Sequence, residues 1–538
     1  MAPSDWQAMQ NAQNYRVVFA DLDTKDWGTP DIASIVRAGL PEDGRGAVVM
    51  LHDGGGDRSR TVAAVAELIN ELKRRGYTFD TVSSAVDAPP PWHAATTFQR
   101  LQGSLVGGLV RISDLVVWLL KLAFAILAVL TVLRTVLLTV LARRHVRSPL
   151  PVSPARRARL PDVSVVVPAY NEEQGIAATV RSLAAADYPD LDVVVVDDGS
   201  TDATAAVVAG LALPNVRLLR QPNAGKPAAL NNGIHAARHD ILVLVDADTV
   251  IEPDAVRALV ACLVEADVGA VSGNTKVGTR RGMLGRWQHI EYVTGFNLDR
   301  RMFDVLRCMP TVPGAIAAFR REALEEVGGV SEDTLAEDTD VTMAVCRAGW
   351  RVVYAPDARA WTETPGTLGQ LWRQRYRWCY GTLQAMWKHR KAIGQSGAAG
   401  KLGRRGLPYL LAFQVLLPLL APAIDVVTLY ALLMSASLSL LYVWLGFLAM
   451  SLLSAAYAFR LDGERLRPLW SLPLQQIAYR QLMYLVVIQS MASALYGLRL
   501  NWQAIRRRGQ LDAVPVQLLP QSGRRGLTSA PMPARAQR

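Results

Sequence analysis

The sequence predicts a doubly wound α/β domain joined to an α-helical transmembrane bundle, with a small partial α/β fragment at the N-terminus. In the middle of the chain, short β-branched runs alternate with helical patterns, which is typical of a parallel sheet covered by helices. Elsewhere the apolar residues collect in runs long enough to cross a bilayer. The chain is 51% hydrophobic and only 20% charged, which excludes a disordered protein and makes an ordinary soluble enzyme a poor fit.

Composition and periodicity divide the 538 residues into eight segments. In order, we predict a partial α/β fragment (1–92), a linker (93–110), a first transmembrane helix (111–142), a basic juxtamembrane linker (143–160), the main α/β domain (161–366), interfacial amphipathic helices (367–396), a C-terminal transmembrane region of about three spans (407–500) and a basic disordered tail (501–538).

The N-terminal fragment reads as a soluble α/β piece. Val17–Ala20 and Ala47–Leu51 have the composition of strands, and Ser59–Arg75 has the spacing of an amphipathic helix that ends at Gly76.

The first transmembrane helix is predicted over Ile112–Ala142, a run interrupted by only three charged residues. Six arginines then precede the next acid, Asp162. Since positive charge favours the cytoplasmic side, we expect this end in the cytoplasm and the N-terminal fragment outside.

In the main domain, three strands are predicted at Val163–Val167, Val193–Val196 and Ile241–Val245. Ligands of open α/β sheets bind beyond the carboxyl ends of the strands. Each of these strands ends in acidic residues, and the segment around Lys226 adds a flexible glycine and a cation. The residues concerned are Pro168, Tyr170 and Glu172 after the first strand, Asp197 and Asp198 after the second, and Asp246 and Asp248 after the third.

Hard oxygen ligands of this kind suit Mg²⁺ or Mn²⁺, which bridge to phosphate oxygens. The chemistry that needs such a site is displacement at a nucleotide diphosphate, where the metal stabilises the departing diphosphate.

The C-terminal half alternates interfacial and membrane character. Residues 367–393 are aromatic, basic and amphipathic, and apolar runs follow near 407–434, 438–459 and 473–498. Three spans would leave the Arg-rich tail outside, against the charge rule. Either one run is interfacial or hairpinned, or a further span is hidden.

The motifs VSVVVPAYNEE, VVVVDDGSTD, NAGKPAALNNG, LVDADT, VPGAIAAFRR, LAEDTD and QRYRW occur in this order. Together they resemble the processive family 2 glycosyltransferases, which include cellulose, chitin, hyaluronan and poly-N-acetylglucosamine synthases. The resemblance covers Pro161–Arg508 and implies a GT-A-like fold. Its most specific element is the Q-x-x-R-W at Gln374–Trp378, which in that family separates polymerases from enzymes that add one sugar.

The resemblance also implies roles for individual residues. Donor binding falls to Pro168, Tyr170, Glu172, Asp197 or Asp198, Lys226, Asp246, Gln374 and Arg377. Asp246 and Asp248 would meet the diphosphate, with Asp248 the favoured metal ligand. Asp338 would be the general base, in a motif where Ala336 replaces the family's usual threonine. Trp378 would stack on the acceptor sugar.

General chemistry agrees with these roles, because an arginine fork suits phosphate and an indole face suits a sugar. Simpler interpretations remain for two of the residues: Asp338 as a helix N-terminal carboxylate, and Trp378 as a membrane-interface anchor.

The N-terminal motifs Asp23–Trp27 and Val49–Asp53 resemble the last two motifs of the polysaccharide deacetylase (NodB-homology) family. His52 would inherit the role of catalytic acid, and Asp26 belongs to the same vestigial site. The earlier motifs, which supply the metal ligands and the base, are absent. We therefore expect no deacetylase activity from this chain; the fragment would be a truncation, a start placed too late, or a docking remnant.

A deacetylase remnant beside a synthase favours an N-acetylated polymer. The expected donor is UDP-GlcNAc and the acceptor is the growing exopolysaccharide, with poly-β-1,6-GlcNAc first and a chitin-like polymer second. Further partners would be the lipid bilayer and an accessory membrane subunit or deacetylase. The alternatives are another β-polysaccharide synthase (hyaluronan, cellulose), a polyprenyl-phosphate sugar transferase, and a non-catalytic scaffold. Nucleic-acid binding is not expected, because the net charge of +11 comes with no basic fold motif.

Overall fold

The computed structural model describes residues 18–28, 31–42, 44–54, 57–85, 96–147, 160–435 and 438–497. The chain forms two compact units, Met1–Asp114 and Leu115–Arg538. The predicted tail (501–538) and residues 148–159 of the predicted juxtamembrane linker lie outside the described residues.

The first unit pairs two short parallel strands, β1 (Leu22–Asp23) and β2 (Val49–Met50). Its helices are α1 (Ile32–Ala38), α2 (Ser59–Arg74) and α3 (Val82–Ala85). Packing of α1 on α2 buries Ile35, Leu68 and Leu72.

The prediction of helix α2 is confirmed, and that of a strand at Ala47–Leu51 is confirmed for its centre. The strand predicted at Val17–Ala20 is wrong over its described residues 18–20. The strand forms instead at Leu22–Asp23, because the backbone amides of Asp21 and Leu22 donate to the Val48 carbonyl and set the register with β2.

Helix α4 (Thr97–Arg147) is one continuous helix of 51 residues. The segment predicted as a linker (93–110) is thus helical from residue 97 onward. The sequence from 97 to 110 contains no proline, so nothing removes a backbone hydrogen bond before the apolar run begins.

Three helices in the described part of the chain are long and apolar enough to cross a membrane: Arg100–Arg147, Gly397–Tyr430 and Leu441–Leu461. The third apolar run predicted near the C-terminus forms a shorter helix, Arg480–Leu495, which packs along the amphipathic helix Leu368–Lys388.

The main domain contains an eight-stranded sheet. Its strands are β3 (Val163–Ala169), β4 (Leu191–Asp198), β5 (Val216–Gln221), β6 (Ile241–Leu244), β7 (Thr249–Ile251), β8 (Val268–Val277), β9 (Ala317–Arg320) and β10 (Arg351–Thr362). The strand order is β5-β4-β3-β6-β9-β8-β10-β7.

The three strands predicted from β-branched runs, β3, β4 and β6, form the parallel half of this sheet together with β5. The prediction of a wholly parallel sheet is wrong, because β9 runs antiparallel between β6 and β8, and β7 runs antiparallel to β10. The sheet is mixed and GT-A-like.

Helices cover both faces of the sheet, as a doubly wound domain requires. The remaining helices are α5 (Ile176–Ala184), α6 (Thr204–Gly210), α7 (Lys226–Ala236), α8 (Ala255–Cys262), α9 (Gly282–Glu291), α10 (Leu298–Leu306), α11 (Arg321–Glu326), α12 (Glu337–Ala348), α13 (Leu368–Lys388), α14 (Gly397–Lys401), α15 (Leu407–Leu410), α16 (Leu417–Ser435), α17 (Leu438–Leu461), α18 (Leu472–Leu474) and α19 (Arg480–Leu495). Along β3, Val165 and Val167 belong to one core and Val166 to the other, because successive side chains point to opposite faces.

A buried ion-pair network ties the sheet to the end of α17. Asp462, directly after this helix, accepts hydrogen bonds from Lys276 of β8 at 2.8 Å and from Arg301 of α10 at 3.0 Å. Lys276 and Asp462 are each only 2% exposed. Glu464 lies 3.3 Å from Lys276 and extends the network to Arg280.

Candidate active site

Lys226, the first residue of α7, bridges two carboxylates at the carboxyl ends of the strands. Its Nζ lies 2.7 Å from Asp246 Oδ1, after β6, and 2.7 Å from Glu337 Oε1, at the start of α12. Burial by itself would lower the pKa of Lys226, but the two carboxylates outweigh it and raise the pKa above its ordinary value. Lys226 is therefore a fixed positive charge.

Gly314 allows the chain to pass beside this ion pair. A Cβ at this position would lie 2.9 Å from Lys226 Nζ and 3.3 Å from the Asp246 carboxylate. The close approach explains why the VPGA motif carries glycine here.

Asp338 stands one residue after Glu337, in the first turn of α12. Its Oδ1 accepts the backbone amide of Thr339 at 2.7 Å, and its Oδ2 faces the Gly314 amide at 3.4 Å. Burial, reinforced by the negative charge of Glu337 and opposed by Lys226, raises the pKa of Asp338 to about 6. A carboxylate with such a pKa suits general base catalysis near neutral pH.

Helix α13 brings Gln374, Arg377 and Trp378 to the same place. Within this helix Arg375 is buried and ion-paired to Glu291 of α9, and it donates to the Gln374 side-chain carbonyl. Its guanidinium carbon lies 4.3 Å from the centroid of the Trp378 ring. Arg375 therefore orients Gln374 and Trp378. The sequence analysis did not assign a role to Arg375.

A cavity of about 480 Å³ joins these elements. Seven of the predicted site residues line it: Lys226, Asp246, Asp248, Asp338, Gln374, Arg377 and Trp378. Its far wall is apolar and comes from the C-terminal helices, through Leu410, Val415, Met483, Val486 and Val487. Pro168 lines a smaller adjoining pocket together with Lys226, Asp246 and Asp338.

The other predicted donor-binding residues, Tyr170, Glu172, Asp197 and Asp198, follow β3 or end β4 and do not line the cavity. The Asp198 carboxylate accepts the backbone amides of Ala224 and Gly225, each at 2.9 Å. Asp198 therefore fixes the loop that leads into Lys226. Contact of these four residues with uridine stays a prediction.

The donor set fits a divalent cation bound with a nucleotide. Asp246 and Asp248 offer carboxylate oxygens to one cavity. Within the described ranges no group of three or more His, Cys, Asp and Glu residues could hold a metal by itself. Magnesium commonly takes one or two carboxylates and completes its octahedron with water and phosphate oxygens, so these two aspartates suffice.

Several cavity residues escaped sequence reasoning. Arg134 of α4 lines the cavity, where it pairs with Asp299 at 3.1 Å and donates to the Tyr409 hydroxyl at 2.8 Å. The sequence did contain a signal for Arg134, since a charged residue within an apolar run usually faces a protein interior or a cavity. Phe296 packs edge-on against Trp378, with 5.9 Å between the ring centroids, and its position carried no such signal.

In the N-terminal unit, Asp26 and His52 form a hydrogen-bonded pair. His52 Nδ1 lies 2.8 Å from Asp26 Oδ1, and Thr61 donates to the other carboxylate oxygen at 2.9 Å. Burial raises the pKa of Asp26, but the hydrogen bonds from His52 and Thr61 outweigh this and bring it to about 2. The carboxylate is therefore ionised and orients an imidazole that is 39% exposed.

Comparison with known proteins found a family to which the main domain is similar. Residues 161–381 match the family described as "Glycosyltransferase like family 2". These residues are therefore similar in sequence to family 2 glycosyltransferases.

Curated relatives are similar to part of this chain. The poly-beta-1,6-N-acetyl-D-glucosamine synthase of Staphylococcus aureus (strain COL) is 32% identical over 225 residues, which is 41% of this chain and 55% of the relative. The protein of the same name from Staphylococcus epidermidis (strain ATCC 35984) is 31% identical over 224 residues, 41% of this chain and 54% of the relative. The chain thus spans about half the length of the curated relatives it matches.

Among solved structures, the mannosyltransferase PcManGT of Pyrobaculum calidifontis, in complex with GDP-Man and Mn²⁺, superimposes with a TM-score of 0.50 and 25% identity. The match covers 69% of this chain and 99% of that protein. It supports the assignment of a GT-A-like fold.

Proposed function

We propose that this chain is a membrane-embedded, processive, inverting glycosyltransferase. It polymerises N-acetylglucosamine from UDP-GlcNAc into a β-linked polysaccharide, with poly-β-1,6-GlcNAc favoured, and extrudes the product. The observation that carries the proposal is one cavity lined by Asp246, Asp248 and Asp338, by Gln374, Arg377 and Trp378, and by apolar side chains of the C-terminal helices. The names of the two staphylococcal relatives support the choice of polymer.

In the proposed reaction, Asp338 accepts the proton of the acceptor hydroxyl. The hydroxyl oxygen attacks C1 of the sugar as the bond from C1 to the diphosphate oxygen breaks, which inverts the anomeric centre and gives a β-linkage. The raised pKa of Asp338 matches this task, because a base works best when its pKa lies near the working pH.

The leaving UDP needs positive charge around it. Asp246 and Asp248 would hold Mg²⁺ or Mn²⁺, which supplies charge neutralisation to the diphosphate when bound. Arg377 and Gln374 would add hydrogen bonds from the opposite wall of the cavity. Lys226 lies 2.7 Å from Asp246 and keeps this carboxylate in place.

The acceptor end would rest on Trp378. Arg375 lies over the ring, 4.3 Å from its centroid, and Phe296 meets the ring in a T-shaped arrangement. A fixed indole plane suits the apolar face of a sugar ring without dependence on a particular linkage. After each addition the polymer would advance along the wall formed by Leu410, Val415 and the α19 side chains.

The motifs around Asp26 and His52 resemble those of a polysaccharide deacetylase, which favours an N-acetylated product. The two side chains form a hydrogen-bonded pair.

Reconstitution of the full chain in vesicles tests the main proposal. Each of UDP-GlcNAc, UDP-glucose, UDP-glucuronate and GDP-mannose is supplied with Mg²⁺ or Mn²⁺, and the product is digested with linkage-specific hydrolases. Long polymer from UDP-GlcNAc that is cleaved by a β-1,6-specific enzyme is expected. A single glycolipid would favour the polyprenyl-phosphate transferase, and absence of UDP release would favour the scaffold.

A further inference from the structure

A second cavity, of about 790 Å³, lies where two candidate membrane spans end. Its wall includes Arg144, His145 and Val146 from the last turn of α4, and Leu461, the last residue of α17. The other walls come from α8, α10 and β10 of the glycosyltransferase domain. It shares no lining residue with the candidate active site, and the proposed reaction makes no use of it.

The lining of this cavity is cationic. Five arginines and three aspartates give it a net formal charge of +2 with histidine neutral: Arg144, Arg257, Arg301, Arg307 and Arg351 against Asp254, Asp304 and Asp357. Such a wall attracts an anion of low charge.

The arginines differ in how far their charge is already neutralised. Arg301 is committed to Asp462 at 3.0 Å, and Arg257 is paired with Asp187 at 3.3 Å. Arg351 approaches Asp267 and Asp304 only at 3.9 and 4.0 Å. For Arg144 and Arg307, which are exposed, no carboxylate in the described ranges lies within 4.0 Å of the guanidinium. Positive charge is therefore left over for a ligand.

Three buried polar atoms of the lining have no hydrogen-bond partner among the residues that the structure describes. They are the hydroxyl of Tyr354, which is 1% exposed, and the Nε atoms of Arg257 and Arg351. All three can donate, and a buried donor without an acceptor is costly and uncommon in folded proteins. Their shared location indicates a ligand rich in acceptor oxygens.

We infer that this cavity binds the phosphate of an anionic phospholipid headgroup. Arginine forks match phosphate oxygens in geometry and charge, and basic clusters beside membrane helices attract anionic lipids. A soluble phosphate ester offers the same chemistry. The lipid is the favoured source because the cavity opens at the ends of two apolar helices, at the depth where headgroups lie. The inference depends on the membrane placement of these helices and not on the sugar chemistry.

Lipid retention by the purified full-length protein tests this inference without any assay of sugar transfer. The protein in neutral detergent is titrated with phosphatidylglycerol or phosphatidylcholine, and bound lipid is counted by native mass spectrometry. We expect preferential retention of phosphatidylglycerol. The double variant Arg144→Gln/Arg307→Gln should weaken this retention about five-fold for each arginine removed.

A matched control is available on the same helix. Arg143→Gln/Arg147→Gln removes the same charge from the C-terminal end of α4, but neither residue lines the cavity, so retention should stay within about two-fold of wild type. Equal losses in both double variants would reduce the effect to general surface charge and overturn the site.

Two further results would also overturn the inference. One is equal retention of the two lipids by the wild-type protein, a comparison that needs no variant and does not depend on a variant's folding. The other is binding of glycerol 3-phosphate as tightly as phosphatidylglycerol, which would assign the cavity to a soluble ester.

Discussion

At the scale of single residues, the polar ends of the strands are where sequence reasoning was most informative. Lys226, Asp246, Asp248 and Asp338 come from three separate parts of the chain, and the structure brings them to one cavity. Asp246 and Asp248 could be predicted from their place after a strand, because parallel strands deliver their carboxyl ends to a common edge, whereas the role of Asp338 was implied by the family resemblance. Arg375 and Glu291 are 84 residues apart in the sequence. No local sequence pattern indicates which acidic residue a buried arginine will pair with.

The first prediction concerns Asp338. Asp338→Asn keeps the side-chain shape but removes the base, so polymer formation should fall by at least about 100-fold, while UDP-GlcNAc binding changes little. Turnover of UDP-GlcNAc and donor binding by calorimetry measure the two effects. Asp333→Asn, an exposed aspartate on the loop before α12, serves as the control and should remain active. Near-normal turnover by Asp338→Asn would remove Asp338 from the mechanism.

The second prediction is a pH dependence. Burial raises the pKa of Asp338 to about 6, and the base acts only when it is ionised. Activity should therefore be fully present well above this value and should be lost as the pH falls through it, about ten-fold for each further pH unit. The measurement is kcat/KM against pH, with thermal unfolding followed at each pH. A level profile down to about pH 4.5 in folded protein would contradict the assignment.

At the scale of elements, β-branched runs identified β3, β4 and β6, and an apolar run identified α4. The antiparallel strand β9 escaped prediction because it has only four residues and two of them are alanines, which carry little strand preference. Its direction is decided by its place between β6 and β8, which is a tertiary property. The N-terminal end of α4 was missed because glycines at 103, 107 and 108 weaken a helical pattern without ending it.

The third prediction tests how α13 positions the start of α12. A Cβ at Gly381 would lie 2.4 Å from the backbone nitrogen of Ala336 and 2.6 Å from its Cβ. Gly381→Ala must therefore displace the segment that carries Asp338. We expect a destabilisation of about 1–3 kcal/mol and a lower kcat, measured by unfolding in detergent and by single-turnover kinetics.

The same helix supplies the control for this substitution. Gly369 has no atom within 4 Å of a Cβ built on it, so Gly369→Ala should leave both stability and kcat close to wild type. Equal effects of the two substitutions would show that helix composition, and not the contact with Ala336, is responsible.

At the scale of the whole molecule, the described part of the second unit is held together by charge as well as by apolar packing. The network of Lys276, Arg301 and Asp462 fastens β8, an inner strand of the sheet, to the end of α17. Lys276 and Asp462 are 186 residues apart, and nothing in the sequence indicated that the two would meet in a buried place.

The fourth prediction follows from this network. Asp462→Asn removes the negative charge that compensates the buried Lys276 and Arg301, so we expect a destabilisation of about 3 kcal/mol. Glu464 would still compensate part of the charge of Lys276. Thermal unfolding of the detergent-solubilised protein measures it. Asp240→Asn breaks a pair with Arg321 at 3.8 Å whose aspartate is 96% exposed, and should cost less than about 1 kcal/mol. A loss for Asp462→Asn no larger than that would contradict a structural role.

The bridge that Lys226 makes between Asp246 and Glu337 bears on the order in which reactants assemble. A carboxylate that already has an ammonium group 2.7 Å away has little attraction left for a bare cation. Metal and nucleotide should therefore arrive as one complex, whose diphosphate can draw Lys226 toward itself and release Asp246. Calorimetry should then detect weak binding of Mn²⁺ alone and at least ten-fold tighter binding once UDP is present; tight binding of Mn²⁺ by itself would contradict such an ordered assembly.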